Sequence, residues 1–245
     1  MSTEDEWRGL TAFTPARLAL GRAGNGLPTK RVLEFQLAHA RARDAVMAPF
    51  DAEAVAATLA PTPALILETR ARDRRAYLMN PDSGRSLCEA SRAKLVPGRY
   101  DAVLVVADGL SSTAIHAHGA ALARHILAAL PEIGWAPVAI VRHGRVAVGD
   151  EIAAALGAEF AIVMIGERPG LSASDSIGLY LTLRPKPGVT KDAERNCISN
   201  VRPGGLALED AAHRLAWLVS QARRIGLTGV GLTEDAPARL PDGSA

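Results

Sequence analysis

The sequence predicts an α/β fold: a parallel sheet with helices on both faces, preceded by a partly helical N-terminal region. Two observations carry this. From Tyr100 onward, short apolar, β-branched runs such as DAVLVVAD, APVAIV and EFAIVMIG each end in a polar turn, as strands buried on both faces do. Helical stretches separate them, and alternation of strand and helix is the pattern of a parallel sheet. Composition agrees, since 48% of the 245 residues are hydrophobic and 22% charged, enough apolar material for a packed core.

The elements follow in order. After a glycine-rich opening with Gly21, Gly24 and Gly26, Pro28 and Thr29 start a helix over LEFQLAHARARDAV. In it Leu33, Leu37 and Ala40 recur at the helical interval, and Pro49 stops the run. AEAVAATLA predicts a second helix capped by Asp51. ALILETR and AYLM read as short strands and SLCEASRAKL as a helix. Beyond DAVLVVAD come the helix TAIHAHGAALARHILAAL, the strand APVAIV, the helix GDEIAAALG and the strand EFAIVMIG. IGLYLTL is a fourth strand of this region, and LEDAAHRLAWLVSQARRIG closes as an amphipathic helix. The expected organisation is an N-terminal docking region over residues 1–97 and a Rossmann-like parallel sheet domain over residues 98–245. Ligands in such sheets bind outside the carboxyl ends of the strands. The loops DGLSS, RHGRVAVGDE, GERPGLSASDS and ERNCISNVRPGG are therefore the ones that matter.

The totals exclude several function classes. With 28 basic and 26 acidic residues the net charge is +2, too little for a broad nucleic-acid surface. Two cysteines make no disulfide framework, and neither has zinc-site spacing around it, so no metal site is expected. No signal sequence opens the chain and no apolar run approaches the ~20 residues of a membrane span, which predicts a soluble, cytoplasmic protein.

Four motifs compete for the chemistry. DGLSSTAIHAHG gathers Asp108, Ser111, Ser112, His116 and His118, which suggests a serine hydrolase. Against that, Ser111 is in the N-cap position of the helix, the two histidines diverge at a spacing of two, and no GxSxG elbow exists. The same stretch fails the DxHxxG pattern of many cobalamin carriers: His116 and Gly119 fit, but Ala114 stands where the aspartate belongs, so nothing orients the imidazole. GERPGL presents Glu167 and Arg168 directly after a strand, either as a ligand contact or as a solvated turn. RVAVGDE enters a helix, with Val146 and Val148 read as core and Asp150 and Glu151 complementing the helix's positive end. Cys197, in a polar loop between Asn196 and Asn200, reads as a reactive thiolate, a filler or a ligand contact; Arg195 beside it suggests a lowered pKa.

Taken together, ARLALGRAGNGLPT, FQLAHARARDAV, DGLSSTAIHAH, RVAVGDEI, IGERPGL, ERNCISNVRPGG and the closing helix through GVGL resemble the small (light) subunit of ethanolamine ammonia-lyase. The resemblance runs in order from about residue 13 to residue 232, and IGERPGL with NCISN is its most specific part. It implies a subunit, inactive alone, of an adenosylcobalamin-dependent enzyme that converts ethanolamine to acetaldehyde and ammonia. The large TIM-barrel subunit would bind ethanolamine and carry the reacting groups, and several large–small pairs would assemble into a hetero-oligomer. The cobalamin-contacting positions implied on this chain are Val146, Glu167 and Cys197, with no catalytic residue. The cofactor would keep its own dimethylbenzimidazole as lower ligand, in line with the failed DxHxxG pattern. FQLAHARARDAV is the expected docking helix. Some members carry a longer N-terminal extension that leads into a bacterial microcompartment; about 12 residues precede the matching region here, so a cytoplasmic location, with or without such a compartment, is expected. A cobalamin carrier and a stand-alone serine hydrolase are the alternative readings.

Overall fold

A computed structural model describes residues 7, 9–14 and 16–235. The first long element is helix α1 (Thr29–Met47), bounded by Pro28 and Pro49. Helix α2 (Ala52–Leu59) follows, with the Asp51 carboxylate accepting from Ala54 N–H at 2.8 Å as its cap. Strand β1 (Ala64–Glu68) is ALILE. AYLM is no strand: it belongs to helix α3 (Arg74–Met79). The deciding residue is Asp73, whose side chain accepts from Ala76 N–H at 2.7 Å and nucleates a turn that so short an apolar run cannot override. The predicted helix over SLCEASRAKL shrinks to the single turn α4 (Glu89–Arg92).

The remaining elements alternate strand and helix as far as the fourth strand, after which two more strands precede the last helix. They are β2 (Ala102–Ala107), a helix α5 after it, β3 (Val138–Arg142), α6 (Val148–Leu156), β4 (Phe160–Gly166), β5 (Ile177–Leu183), β6 (Asn196–Val201) and α7 (Leu208–Ile225). Helix α5 is built from Ser112–Ala114, a π-helical turn Ile115–Gly119, and Ala120–Ala129. Among the described residues no helix is long and apolar enough to cross a membrane.

The strands form one six-stranded sheet in the order β1-β3-β2-β4-β5-β6. The first four are parallel, but β5 runs antiparallel to β4 and β6 antiparallel to β5. The sheet is therefore mixed, and the expected all-parallel arrangement is corrected. The reason is local: a parallel neighbour needs a crossover, usually a helix, whereas residues 167–176 form none and return directly. NCISNV is likewise no polar loop but an edge strand. Residues before position 98 share in the sheet through β1, which pairs along its whole length with β3.

Side chains alternate between two cores. On one face Leu104, Val106, Ile140, Ile162 and Met164 pack under α2, α5 and α7. On the other, Val103, Val105, Val141 and Val163 pack against Ile152 and Leu156 of α6 and against Leu87 and Leu95. Helix α1 differs: only Ala45 is buried, while Leu33, Phe35 and Leu37 are exposed.

Two buried ion pairs fix the ends of the sheet. Arg195, just before β6, donates to Asp150 of α6 with both arms, at 2.6 and 2.7 Å, and to Thr182 of β5 at 3.0 Å. Arg74 of α3 bonds the Gly109 carbonyl at 2.7 Å and reaches Asp108 at 3.4 Å. Asp108 also accepts from Gly144 N–H at 3.2 Å. Burial pushes the Asp108 carboxyl up to about 6, against the opposing pull of Arg74 and of backbone N–H groups.

Removing one member of the doubly bonded pair strands its partner. Arg195→Met is expected to lower unfolding free energy in urea by about 3–5 kcal/mol, and Arg195→Met with Asp150→Leu to recover part of that. For Asp108, the folded pKa lies above the ordinary aspartate value of 3.8, so its contribution to stability declines as pH rises from about 4 to about 6. Asp108→Asn removes that slope. The stability of the native chain relative to this variant should fall by about 2–3 kcal/mol across the window in urea unfolding at stepped pH. A constant difference would contradict the burial argument.

Candidate functional site

The carboxyl ends of β2, β3 and β4 meet at one rim, and the segments leaving them build a cavity of about 410 Å³. Gly109 and Gly166 draw β2 and β4 together here. Gly109 has φ +55°, and a Cβ on it would stand 2.3 Å from the Gly166 carbonyl oxygen. A Cβ on Gly166 would stand 2.1 Å from that of Ser111, so neither position accepts a side chain.

Val146 lies in the short link between β3 and α6 and lines the cavity, half-buried against the same core as Val148, which is itself fully buried. Glu167, first residue after β4, lines the opposite wall. Its two carboxylate oxygens each accept from Asn200 N–H at 3.2 Å. That contact depends on a bulge: Leu179 pairs with Ile198 and Ile177 with Val201, so β6 carries one residue more than β5. Asn200 takes the left-handed φ of 57° within it, a conformation asparagine tolerates. On the other side of the rim His143 also has a positive φ, 56°. Few non-glycine residues take this conformation; here Asn200 bonds Glu167 of the cavity wall, and His143 lies two residues before the cavity's Arg145.

Cys197 stands one strand further out, opposite Tyr180 of β5. Tyr180 lines the cavity, so the thiol reaches it through the phenol rather than directly. The suggested activation by Arg195 is overturned, because that guanidinium is committed to Asp150. Although Cys197 is exposed along the edge, surrounding protein atoms desolvate the sulfur and push its pKa up, and the Glu167 and Glu234 carboxylates add to the shift. A thiol whose pKa is raised in this way is a poor nucleophile.

The hydrolase constellation does not assemble. Ser111 caps α5, accepting from Ala114 N–H at 3.2 Å and donating to the Ser174 carbonyl at 2.7 Å, fully buried. His116 accepts from Asp51 N–H at 3.1 Å, His118 meets Asp175 at 3.2 Å, and Asp108 is held by Arg74 and Gly144. No cluster of ligands suited to a metal ion occurs among the described residues. A larger concavity of about 770 Å³ beside β1 and β3 is arginine-rich but charge-balanced. Arg70, Arg72, Arg92 and Arg142 are offset by Glu68 and Glu89 in its wall and by Glu151 and Glu53, paired to Arg92 and Arg142.

Three residues of the rim cavity escaped the sequence reading: Tyr77, Arg145 and Tyr180. Tyr77 is fully buried and donates from its hydroxyl to the Gly144 carbonyl at 3.1 Å, steadying the loop that carries Val146. Burial pushes the phenols of Tyr77 and Tyr180 well above the ordinary tyrosine value, so both remain neutral donors. The available signal was a polar-tipped aromatic inside the apolar strand IGLYLTL; nothing in RRAYLM distinguished Tyr77 from core.

Comparison with known proteins matches residues 4–233 to the model of the ethanolamine ammonia-lyase light chain family. The chain is 50% identical to the ethanolamine ammonia-lyase small subunit of Ralstonia nicotianae over 249 aligned positions, covering 97% of this chain and 92% of that protein. It is 48% identical to the small subunit of Azotobacter vinelandii, covering 99% and 93%, and 47% identical to that of Pseudomonas fluorescens, covering 99% and 92%. A match of this length includes every rim segment described above, and the chain belongs to the small-subunit (light-chain) family of ethanolamine ammonia-lyase, a carbon–nitrogen lyase.

Proposed function

We propose that this chain completes the adenosylcobalamin site of an ethanolamine ammonia-lyase by closing over a cofactor held mainly by a large TIM-barrel subunit. The observation that carries the reading is that Val146 and Glu167, distant in sequence and both at positions implied by the family resemblance, line one cavity. At about 410 Å³ the cavity holds at most a drug-sized group. It can seat an edge of a corrinoid but not enclose one, which favours a shared site over a carrier acting alone.

The residues present fit such an edge. Corrin side chains are amides with both donors and acceptors. The Glu167 carboxylate, already anchored by Asn200, has lone pairs left for an amide N–H. Val146, with Leu110 and Ile165, offers apolar contact, and the neutral Tyr180 phenol with Cys197 behind it borders the outer side. The three histidines of α5 are engaged elsewhere, His116 with Asp51, His118 with Asp175 and His125 with Glu209, consistent with a cofactor that keeps its own benzimidazole below the cobalt. When bound, adenosylcobalamin supplies radical chemistry through homolysis of its cobalt–carbon bond, and the protein contributes position and polarity. No residue of this chain needs to take a catalytic role.

In this reading the docking part of residues 1–97 is helix α1, while β1 and Tyr77 from that stretch join residues 98–245 in the Rossmann-like, cobalamin-contacting part. The exposed Leu33 and Leu37, four residues apart on one face of α1, form an apolar strip that docking on the large subunit would cover. Several such pairs would form a hetero-oligomer in the cytoplasm, with or without a surrounding microcompartment.

Acetaldehyde release from ethanolamine and adenosylcobalamin is expected only when this chain is co-expressed with its large subunit; turnover by the chain alone, or none in a well-formed pair, would contradict the proposal. Within the pair, Glu167→Ala should raise the cofactor concentration for half-maximal activity roughly tenfold, the scale of one charged hydrogen bond. Cys197→Ser should keep measurable turnover, whereas complete loss in a folded complex would assign the thiol a chemical role.

A further inference from the structure

Arg145, half-buried with its Nε atom out of solvent, stands apart from Arg195 and Arg74. Arg195 and Arg74 each meet a carboxylate, yet no ion pair to Arg145 occurs among the described residues. Its guanidinium lies over the Tyr77 ring, 4.2 Å from the centroid. One arm makes a long contact of 3.4 Å to the Tyr77 carbonyl, and the buried Nε–H has no hydrogen-bond partner. Glu167 shares the cavity, but its carboxylate bonds Asn200.

The surrounding fold is shaped to keep this side chain where it is. Arg145 N–H donates to the Gly84 carbonyl at 2.8 Å. A Cβ at Gly84 would stand 3.0 Å from Arg145 Cγ, 3.0 Å from the Tyr77 ring and 2.8 Å from the His143 carbonyl oxygen. The Tyr77 hydroxyl in turn holds Gly144. A partly desolvated guanidinium without an anion is costly, and stacking on an aromatic ring offsets only part of that. A planar fork of donors at the wall of a cavity, next to Val146, is suited to planar acceptors and to phosphate.

We propose that Arg145 binds the cofactor directly, donating from its guanidinium to an acceptor oxygen of adenosylcobalamin. This rests on the cobalamin reading above. The cofactor offers such oxygens from two sources, the phosphodiester of its nucleotide loop and the carbonyls of its corrin amides.

The test is equilibrium dialysis of the large–small complex against adenosylcobalamin and against adenosylcobinamide, which lacks the nucleotide loop, with thermal unfolding of the cofactor-free complex alongside. Arg145→Met is expected to raise the Kd for adenosylcobalamin at least tenfold without lowering the unfolding temperature of the cofactor-free complex. Arg145→Lys, which keeps the charge and loses the fork, should fall between. If Arg145→Met weakens cobalamin but not cobinamide, the partner oxygen is the phosphodiester; if it weakens both alike, the partner is an amide carbonyl. An unchanged Kd in Arg145→Met overturns the assignment while leaving the cobalamin site intact. Should Arg145→Met not yield a folded complex, an Arg145→Lys Kd within twofold of the native value overturns it equally. Failure of the native complex to bind cobalamin would sink both readings.

Discussion

The buried pair between Arg195 and Asp150 ties together parts of the chain that the sheet alone would leave independent. One end is anchored just before β6, the other in the first turn of α6, and Thr182 of β5 shares the same guanidinium. Val146 sits four residues before Asp150, and Cys197 two after Arg195. Two walls of the rim are thereby set by a doubly bonded contact whose partners are each about 2% exposed. Such pairs add little net stability compared with apolar packing, because desolvation offsets most of the attraction. Their effect is geometric: a two-point fork has one satisfactory arrangement, and a slipped β6 would leave both charges unmatched.

Around that constraint the sheet does two different jobs. The parallel half, β1 to β4, keeps its inner strands β3, β2 and β4 buried on both faces and delivers their carboxyl ends to one rim. The antiparallel half folds β5 and β6 back beside β4, so that Asn200 arrives next to Glu167. A sheet continued by crossovers would have brought another strand's carboxyl end there instead, with no bulged edge to supply the Asn200 N–H.

Much of the fold was legible because burial writes itself into hydrophobic pattern. DAVLVVAD and EFAIVMIG could only be central strands, and Asp51 and Ser111 were recognisable as caps from chemistry local to each helix start. What failed was decided by small numbers of residues. AYLM is too short to declare a period, and Asp73 turned it into a helix. The direction of β5 depended on noticing that GERPGLSASDS contains no helix, a negative feature that periodicity does not report. For the site, the family resemblance supplied Val146, Glu167 and Cys197, whereas Arg145, Tyr77 and Tyr180 emerged only in three dimensions. Arg195 illustrates the limit most clearly. Its neighbour in sequence is Cys197, but its partner in space lies 45 residues away.

The bulge in β6 has a second effect. β6 closes one side of the sheet, and an open strand edge presents unpaired backbone groups that another chain can zip onto. One extra residue with a left-handed turn interrupts that regular ladder and increases the local twist. The insertion that aims Asn200 at Glu167 therefore also blunts the border of the sheet against runaway strand addition.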